Sequence, residues 1–251
     1  MLRYILPLIL GLALASGAAR SETVVRLMAN PSPPYADKKL PDQGLALELV
    51  THIFSRTDYT PEITIENWSR AMEGVRIGLY DALATAWYSE ERSRDFLFSD
   101  PYLSSELILV KLRSDKSHYR SLQDLAAKRL GVRSDYAYGV DFSSIPDLAL
   151  VEEHQLIQSL LNLLNGSVDL VIGDRRTLTH QLNEYLQSQI GEFQVVPVEL
   201  PRKHRHVAAG RNVAGHEAMI AAFNRALAES RKDGSYDAIV EKWDTKYAVL
   251  D

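Results

Sequence analysis

Apolar positions along the chain fall into two patterns, one short and continuous and the other spaced by three or four residues. Short apolar or β-branched runs predict strands at residues 24–28, 63–65, 79–87, 106–112, 130–132, 168–172, 193–198 and 207–209. Apolar residues three or four apart predict helices at residues 45–54, 68–77, 154–164, 176–187, 219–227 and 236–243, and a short helix opens at Ser121. This alternation predicts α/β layers built on mainly parallel sheets.

Residues 1–21 have the three-part layout of a secretory signal. Arg3 supplies a positive charge, residues 5–15 are almost wholly apolar, and small residues follow them. The apolar run is too short to cross the roughly 30 Å of membrane hydrocarbon as a permanent helix. We therefore expect cleavage after Ala19 or Ser21 and a periplasmic protein that does not span the membrane, with an uncleaved anchor as the alternative.

The overall composition excludes several kinds of partner and site but does not indicate a function. Hydrophobic residues make up 46% and charged residues 24%, as in an ordinary soluble globular protein. The formal net charge of −5 gives no sign of a nucleic-acid partner. The chain has no cysteine, which excludes disulfides, thiolate metal sites and cysteine catalysis.

Motifs of catalysis or metal binding are also missing from the sequence. It contains no serine-hydrolase elbow, zinc-protease motif or phosphate-binding loop, so we expect neither an enzyme nor a cofactor. His204 and His206 would share one face of a strand, which leaves a metal site conceivable. We expect these two histidines to belong to a solvated hinge segment instead.

Six groups of short motifs follow one another in a fixed order. They are Pro33-Pro34-Tyr35 followed by Gln43-Gly44-Leu45; Gly78-Leu-Tyr-Asp81-Ala82; Ser89-Glu-Glu-Arg92 followed by Phe98-Ser-Asp-Pro-Tyr102; Ser121-Leu-Gln-Asp-Leu125 with Gly131-Val132; Val168-Asp169-Leu-Val-Ile-Gly-Asp174; and Phe223-Asn224-Arg-Ala-Leu227 with Asp233-Gly-Ser-Tyr236 and Lys242-Trp243. Each is weak alone. Together, over residues 24–244, their order and spacing resemble the bacterial extracellular solute-binding proteins of family 3, the polar amino-acid type.

This resemblance implies a two-lobed α/β architecture, the type 2 periplasmic-binding-protein fold, with two crossover strands joining the lobes. Lobe one would combine residues 22–112 with residues 205–251, and lobe two would comprise residues 113–204. The cleft between such lobes closes on a ligand by a hinge motion.

Arg92 is the first candidate for ligand contact. A guanidinium presents a planar fork that matches a carboxylate with two parallel hydrogen bonds. The resemblance implies that Arg92 holds the α-carboxylate of the ligand. The alternative is a surface arginine that pairs with Glu90, Glu91 or Asp95, and we expect Arg94 to lie on the surface.

Asp174 is the second candidate, because it follows an apolar strand at the end where α/β clefts bind ligands. The resemblance implies that it holds the ammonium group of the ligand. Aspartate is also a favoured residue for capping the start of a helix, and both roles remain open for Asp174. In the first role, Arg92 and Asp174 would hold opposite ends of a zwitterion across the cleft.

The sequence departs from the family pattern near Arg92. The step from Asp81 to Arg92 is one residue shorter than usual, and Trp87 replaces a small hydroxyl residue. The further candidates for ligand contact are Thr85, Trp87, Tyr136, Trp68 and Tyr35. Aromatic residues are equally suited to packing inside a lobe, so that role is the alternative for these side chains.

The resemblance implies that the protein captures a small carboxylate-bearing solute and delivers it to the permease of an ABC importer. An amino acid or a derivative is the expected solute. Two alternatives remain: an enzyme like cyclohexadienyl dehydratase, and a ligand-sensing module for a membrane receptor.

Overall fold

The computed structural model describes residues 23–134, 136–211 and 213–244, so the predicted signal at residues 1–21 lies outside the described residues. The strands in these ranges are β1 (Thr23–Ala29), β2 (Tyr59–Ile65), β3 (Ala82–Trp87), β4 (Phe96–Phe98), β5 (Leu103–Ser105), β6 (Leu107–Leu112), β7 (Arg129–Arg133), β8 (Ala149–Glu153), β9 (Leu170–Asp174), β10 (Phe193–Val196) and β11 (Lys203–Gly210). The α-helices are α1 (Leu45–Phe54), α2 (Trp68–Arg76), α3 (Leu156–Leu164), α4 (Arg175–Tyr185), α5 (His216–Lys232) and α6 (Ser235–Asp244). Within these ranges, no helix combines the length and apolar character needed to cross a bilayer.

The strands form two separate sheets. The first has the order β2-β1-β3-β11-β4, with β5 also paired to β11, and the second has the order β10-β6-β9-β7-β8. The chain passes from the first sheet to the second between β5 and β6, and it returns between β10 and β11. This is the arrangement expected for two α/β layers with two crossings between them.

Both sheets are mixed, so the prediction of mainly parallel sheets is wrong. β1 runs parallel to β2 and β3, and β7 runs parallel to β8 and β9. β11 is antiparallel to β3, β4 and β5, while β6 is antiparallel to β9 and β10. The antiparallel pairs involve strands next to the crossings. β6 follows β5, and β11 follows β10, without a helix between them. Parallel pairing of consecutive strands requires a crossover connection, which is usually a helix.

The start of α1 fixes the turn that carries Tyr35. The amides of Leu45 and Ala46 donate to the carbonyls of Pro34 and Tyr35 at 2.9 and 3.0 Å. Gly44 has φ +109°, and a side chain there would bring a Cβ within 2.6 Å of the Tyr35 carbonyl oxygen. Glycine is therefore required for this close approach. The motif of Pro33 to Tyr35 is thereby held against the helix, and Tyr35 is completely buried.

Candidate ligand-binding site

The last residues of β3 bring two polar side chains to the space between the sheets. Thr85 and Trp87 are two residues apart on an extended strand, so both project from the same face. Both are buried, and both line a small cavity that we call the inner cavity. The remaining lining residues of the inner cavity are Asn30, Trp68, Arg92, Tyr136, Ala137 and Arg205.

The inner cavity lies between the two sheets. Tyr136 and Ala137 follow β7 of the second sheet, whereas Thr85, Trp87 and Arg205 belong to strands of the first. Its volume is about 20 Å³, which is room for about one water molecule. The cavity in this conformation therefore admits one polar group of a ligand and not a whole amino acid.

A larger cavity of about 870 Å³, which we call the outer pocket, adjoins the inner cavity. The two share Asn30, Trp68 and Tyr136 in their walls. The outer pocket also has walls from both sheets, because Pro31 follows β1 and Arg133 ends β7. A ligand anchored in the inner cavity could therefore extend its body into the outer pocket.

Arg92 begins a short 3₁₀ turn after β3, and its side chain folds back toward that strand. Its Nη1 donates to the carbonyl of Trp87 at 3.0 Å, and its guanidinium carbon lies 4.6 Å from the centre of the Trp68 ring. Arg92 is half-buried and lines the inner cavity, whereas Arg94 is exposed. The guanidinium of Arg92 is thus held at the cavity by an aromatic face and a backbone carbonyl.

Arg205 is a second arginine of the inner cavity, and sequence reasoning missed it. It lies opposite Trp87 in the pairing of β11 with β3, and it is only 3% exposed. Its guanidinium carbon is 3.6 Å from the centre of the Tyr35 ring and 5.6 Å from that of Trp87. The basic stretch at residues 202–206 offered one usable signal. In a strand, Lys203 and Arg205 share one face, and His204 and His206 share the other.

The charge of Arg205 is stabilised from within the protein. Burial opposes the charged form, but electrostatic interactions with Tyr35 and with Asp174 outweigh it and raise the pKa of Arg205 above its ordinary value. The pKa of Lys203, on the same strand, shifts in the opposite direction. Burial, and then the charge of Arg92, lower the pKa of Lys203. Arg205 is thus a permanent buried cation beside the inner cavity.

Asp174 ends β9 and caps α4, as one of its two predicted roles required. Its Oδ1 accepts from the Thr177 amide at 3.0 Å, from the Thr177 hydroxyl at 3.3 Å and from the Tyr35 hydroxyl at 2.8 Å. Burial, and then the charge of Asp174, raise the pKa of Tyr35, so this hydroxyl keeps its proton and donates. Tyr35 precedes α1 in the part of the chain that forms the first sheet, so this bond joins the two sheets.

Several buried polar atoms near the inner cavity have no hydrogen-bond partner among the described residues. They are Thr85 Oγ1, Trp87 Nε1, Arg205 Nε and Asp174 Oδ2. Leaving such a group unpaired costs about 1–3 kcal/mol, more if it is charged. Three of these atoms belong to residues that line the inner cavity, which indicates a site built for a polar guest.

Aromatic rings close the inner cavity from the side of the second sheet. The rings of Trp87 and Tyr136 meet edge to face with centres 4.9 Å apart, and Tyr138 lies 6.4 Å from Trp87. Trp87 is therefore packed into the core of the second sheet although it belongs to the first. These contacts agree with both roles predicted for the aromatics, since the same rings pack a core and line a cavity.

Five of the seven predicted site residues meet at the inner cavity: Arg92, Thr85, Trp87, Tyr136 and Trp68. The other two, Asp174 and Tyr35, are bonded to each other and line neither the inner cavity nor the outer pocket. Arg205 connects the two groups, because it lines the inner cavity and packs on Tyr35. The ligand contacts of all seven residues stay predictions.

The histidines of β11 make separate contacts. His204 Nδ1 is 3.2 Å from the Ser104 hydroxyl, and His206 Nδ1 is 2.7 Å from the Ser99 carbonyl. Over residues 23–134, 136–211 and 213–244, no group of three or more histidine, aspartate or glutamate side chains is arranged to hold a metal ion.

Comparison with known proteins identifies the family. The family model of the bacterial extracellular solute-binding proteins, family 3, matches residues 25–246. The chain belongs to this family. The predicted resemblance is thus confirmed over nearly the whole described chain.

The proteins that resemble this chain are distant in sequence but similar in length. The ABC transporter arginine-binding protein 1 of Escherichia coli (strain K12) is 23% identical, covering 94% of this chain and 98% of that protein. The solved structure of an ancestral arginine-binding protein bound to arginine has a TM-score of 0.74 at 21% identity, covering 89% of this chain and 99% of that one. The GluR0 ligand-binding core in complex with L-glutamate also has a TM-score of 0.74, at 17% identity and with the same coverage of both chains. The predicted fold class, a two-lobed type 2 periplasmic-binding-protein fold, is confirmed by these similarities.

Proposed function

We propose that the protein is a periplasmic solute-binding protein that captures a small carboxylate-bearing solute between its two sheets. The observation that carries this proposal is the inner cavity. There, Arg92 and Arg205 converge with Thr85 and Trp87. Buried polar atoms of Thr85, Trp87 and Arg205 have no hydrogen-bond partner among the described residues. Hydrogen bonds between guanidinium groups and carboxylates are charge-assisted and are about twice as strong as neutral ones.

The division of the site into a narrow and a wide part fits such a ligand. A carboxylate accepts up to about four hydrogen bonds, and the inner cavity supplies guanidinium, indole and hydroxyl donors. Trp68 and Tyr136 stand where the inner cavity meets the outer pocket, so their rings would flank the ligand body. Asp174 acts through Tyr35 and Arg205 in this arrangement, because it does not line the cavity.

The route of the solute follows from the predicted signal and from the relatives. A cleaved signal at residues 1–21 would release the protein into the periplasm, where lobe closure would trap the solute for the permease of an ABC importer. The relative described above is named for arginine, so amino acids and their derivatives are the first compounds to test. The names of the relatives support binding rather than a dehydratase-like reaction, and a turnover assay with prephenate should show no product.

A thermal-shift screen of the purified exported protein tests the proposal. A ligand at about 100 times its dissociation constant stabilises the folded state by about 2.7 kcal/mol. For a chain of this length, that should raise the unfolding midpoint by roughly 5 °C or more. We expect such a rise with at least one amino acid or related small carboxylate. A screen in which no carboxylate raises the midpoint, while solutes of another class do, would contradict the proposal.

A further inference from the structure

We infer that the inner cavity receives a carboxylate whose neighbouring carbon carries no ammonium group. The preferred ligands would then be organic acids without an α-amino group, such as 2-oxo, 2-hydroxy or unsubstituted carboxylic acids. This inference rests on the proposed function and narrows the class of its ligand.

The first step is the position of Arg205. Its side chain is buried, packs on the Tyr35 ring at 3.6 Å, and has a buried Nε with no hydrogen-bond partner among the described residues. A guanidinium is a donor only, so it can be satisfied only by acceptors. A carboxylate that enters the inner cavity supplies those acceptors in charge-assisted hydrogen bonds.

The second step is the engagement of Asp174. Its Oδ1 already accepts from the Thr177 amide and from the Tyr35 hydroxyl. Its Oδ2 has no hydrogen-bond partner among the described residues, but Asp174 lines neither the inner cavity nor the outer pocket, so a ligand in either does not reach it. Asp174 favours the charged form of Arg205, and the two residues are linked through Tyr35, whose ring contacts Arg205 and whose hydroxyl donates to Asp174. The protein therefore supplies its own cation for Asp174, in the form of Arg205, so the ligand does not need to supply one.

The third step is the balance of donors and acceptors in the inner cavity. Arg92, Arg205 and the Trp87 indole can only donate, and the Trp87 carbonyl already accepts from Arg92. No carboxylate lines the inner cavity among the residues that the structure describes. An ammonium group there would meet two arginines, and the side-chain acceptors among the described lining residues would be the neutral groups of Thr85, Asn30 and Tyr136.

Paired ligands test the inference directly. Each standard L-amino acid is compared by calorimetry with the carboxylates in which hydrogen or an oxo group replaces its ammonium group. In the pair that contains the tightest ligand, we expect the compound without the ammonium group to have at least a tenfold lower dissociation constant than the amino acid. This is a difference of about 1.4 kcal/mol in binding free energy. Binding of an amino acid as tight as that of its partners, or tighter, would overturn the inference and leave the proposed function intact. An absence of binding in both series would overturn both.

Variants of Arg205 give a second test. Arg205→Met should weaken binding of the preferred acid by at least tenfold and reduce its advantage over the amino acid. Arg205→Lys should recover most of the affinity and most of the preference for the acid, because it keeps the charge. Arg202→Met, at an exposed neighbouring position, is the matched control and should bind like the wild type. The unfolding midpoint without ligand shows whether each variant is folded. Arg205→Met with unchanged affinity and preference would remove Arg205 from the site.

Discussion

The guanidinium of Arg205 packs on the ring of Tyr35, with 3.6 Å between the guanidinium carbon and the ring centre. The hydroxyl of the same ring donates to Asp174 at 2.8 Å. Arg205 belongs to the first sheet and Asp174 to the second, so Tyr35 links a buried cation to a buried anion across the gap between the sheets. A desolvated contact between a cation and an aromatic face is worth about 2 kcal/mol or more. The link is therefore strong enough to matter for stability.

Removing the Tyr35 hydroxyl should weaken this link. In Tyr35→Phe the ring still packs on Arg205, but one donor to the Asp174 carboxylate is lost. We expect the free energy of unfolding to fall by about 1.5–3 kcal/mol, the range for hydrogen bonds to charged groups. Urea denaturation measures this loss. Tyr185→Phe, at a position that is 64% exposed, is the control and should change little.

Tyr35 and Asp174 should also behave as a coupled pair. Asp174→Ala removes the cap of α4, which costs about 0.5–2 kcal/mol, and it removes the acceptor of the Tyr35 hydroxyl as well. The double variant should therefore lose less stability than the two single losses combined, by about 1 kcal/mol or more. Denaturation of the four proteins of this cycle gives the coupling. Additive losses would show that the bond between the sheets contributes nothing.

Tryptophan fluorescence should report ligand binding from two positions and not from the third. Trp68 and Trp87 line the inner cavity, whereas the indole of Trp243 donates to Glu48 at 2.7 Å and lines neither cavity of the site. Trp87→Phe or Trp68→Phe should reduce the change in emission on addition of ligand. Trp243→Phe, the control, should keep it. If Trp243→Phe alone abolishes the signal, the ligand binds elsewhere.

The stability of the protein should fall in mild acid partly because of His206. Burial lowers the pKa of His206, although its bond to the Ser99 carbonyl opposes this effect. The unfolded state then binds the proton more readily than the folded state. The contribution of His206 to the free energy of unfolding is therefore complete above about pH 6.5 and declines as the pH falls through the folded pKa. His206→Gln should flatten the dependence of the unfolding free energy on pH between about 7.5 and 5. Burial also lowers the pKa of His52, so part of the slope should remain.

The wild-type protein is the reference for that measurement. The neighbouring His204 cannot serve as a control, because its charge contributes to the lowered pKa of His206. Equal slopes for His206→Gln and the wild type would contradict the assignment of this effect to His206.

The sequence predicted most helices and central strands, because their apolar patterns extend over several residues. The strand predicted at residues 79–87 begins only at Ala82, because Gly78 has φ +77° and Asp81 binds the backbone and side chain of Arg26. The short strands β4, β5 and β8 were not predicted. Three to five residues with few buried positions carry too little pattern to be recognised.

The candidate site was predictable where its residues lie close together in the sequence. Thr85, Trp87 and Arg92 were found because they surround one motif. Arg205 was missed because its strand begins with basic residues and histidines, so the sequence has no apolar pattern there that would indicate burial. The bond between Tyr35 and Asp174 joins residues 139 positions apart, and only the folded chain brings them together. Pairing of this kind depends on the arrangement of the two sheets, which local patterns do not contain.

Calorimetric titration of Arg92→Ala and Arg94→Ala with the best carboxylate from the screen tests the central claim most directly. Arg92 lines the inner cavity and Arg94 is exposed two residues away, so the pair separates a ligand contact from a general loss of charge. The account predicts that Arg92→Ala weakens binding at least roughly tenfold while Arg94→Ala binds like the wild type. Wild-type affinity in a folded Arg92→Ala protein would contradict it.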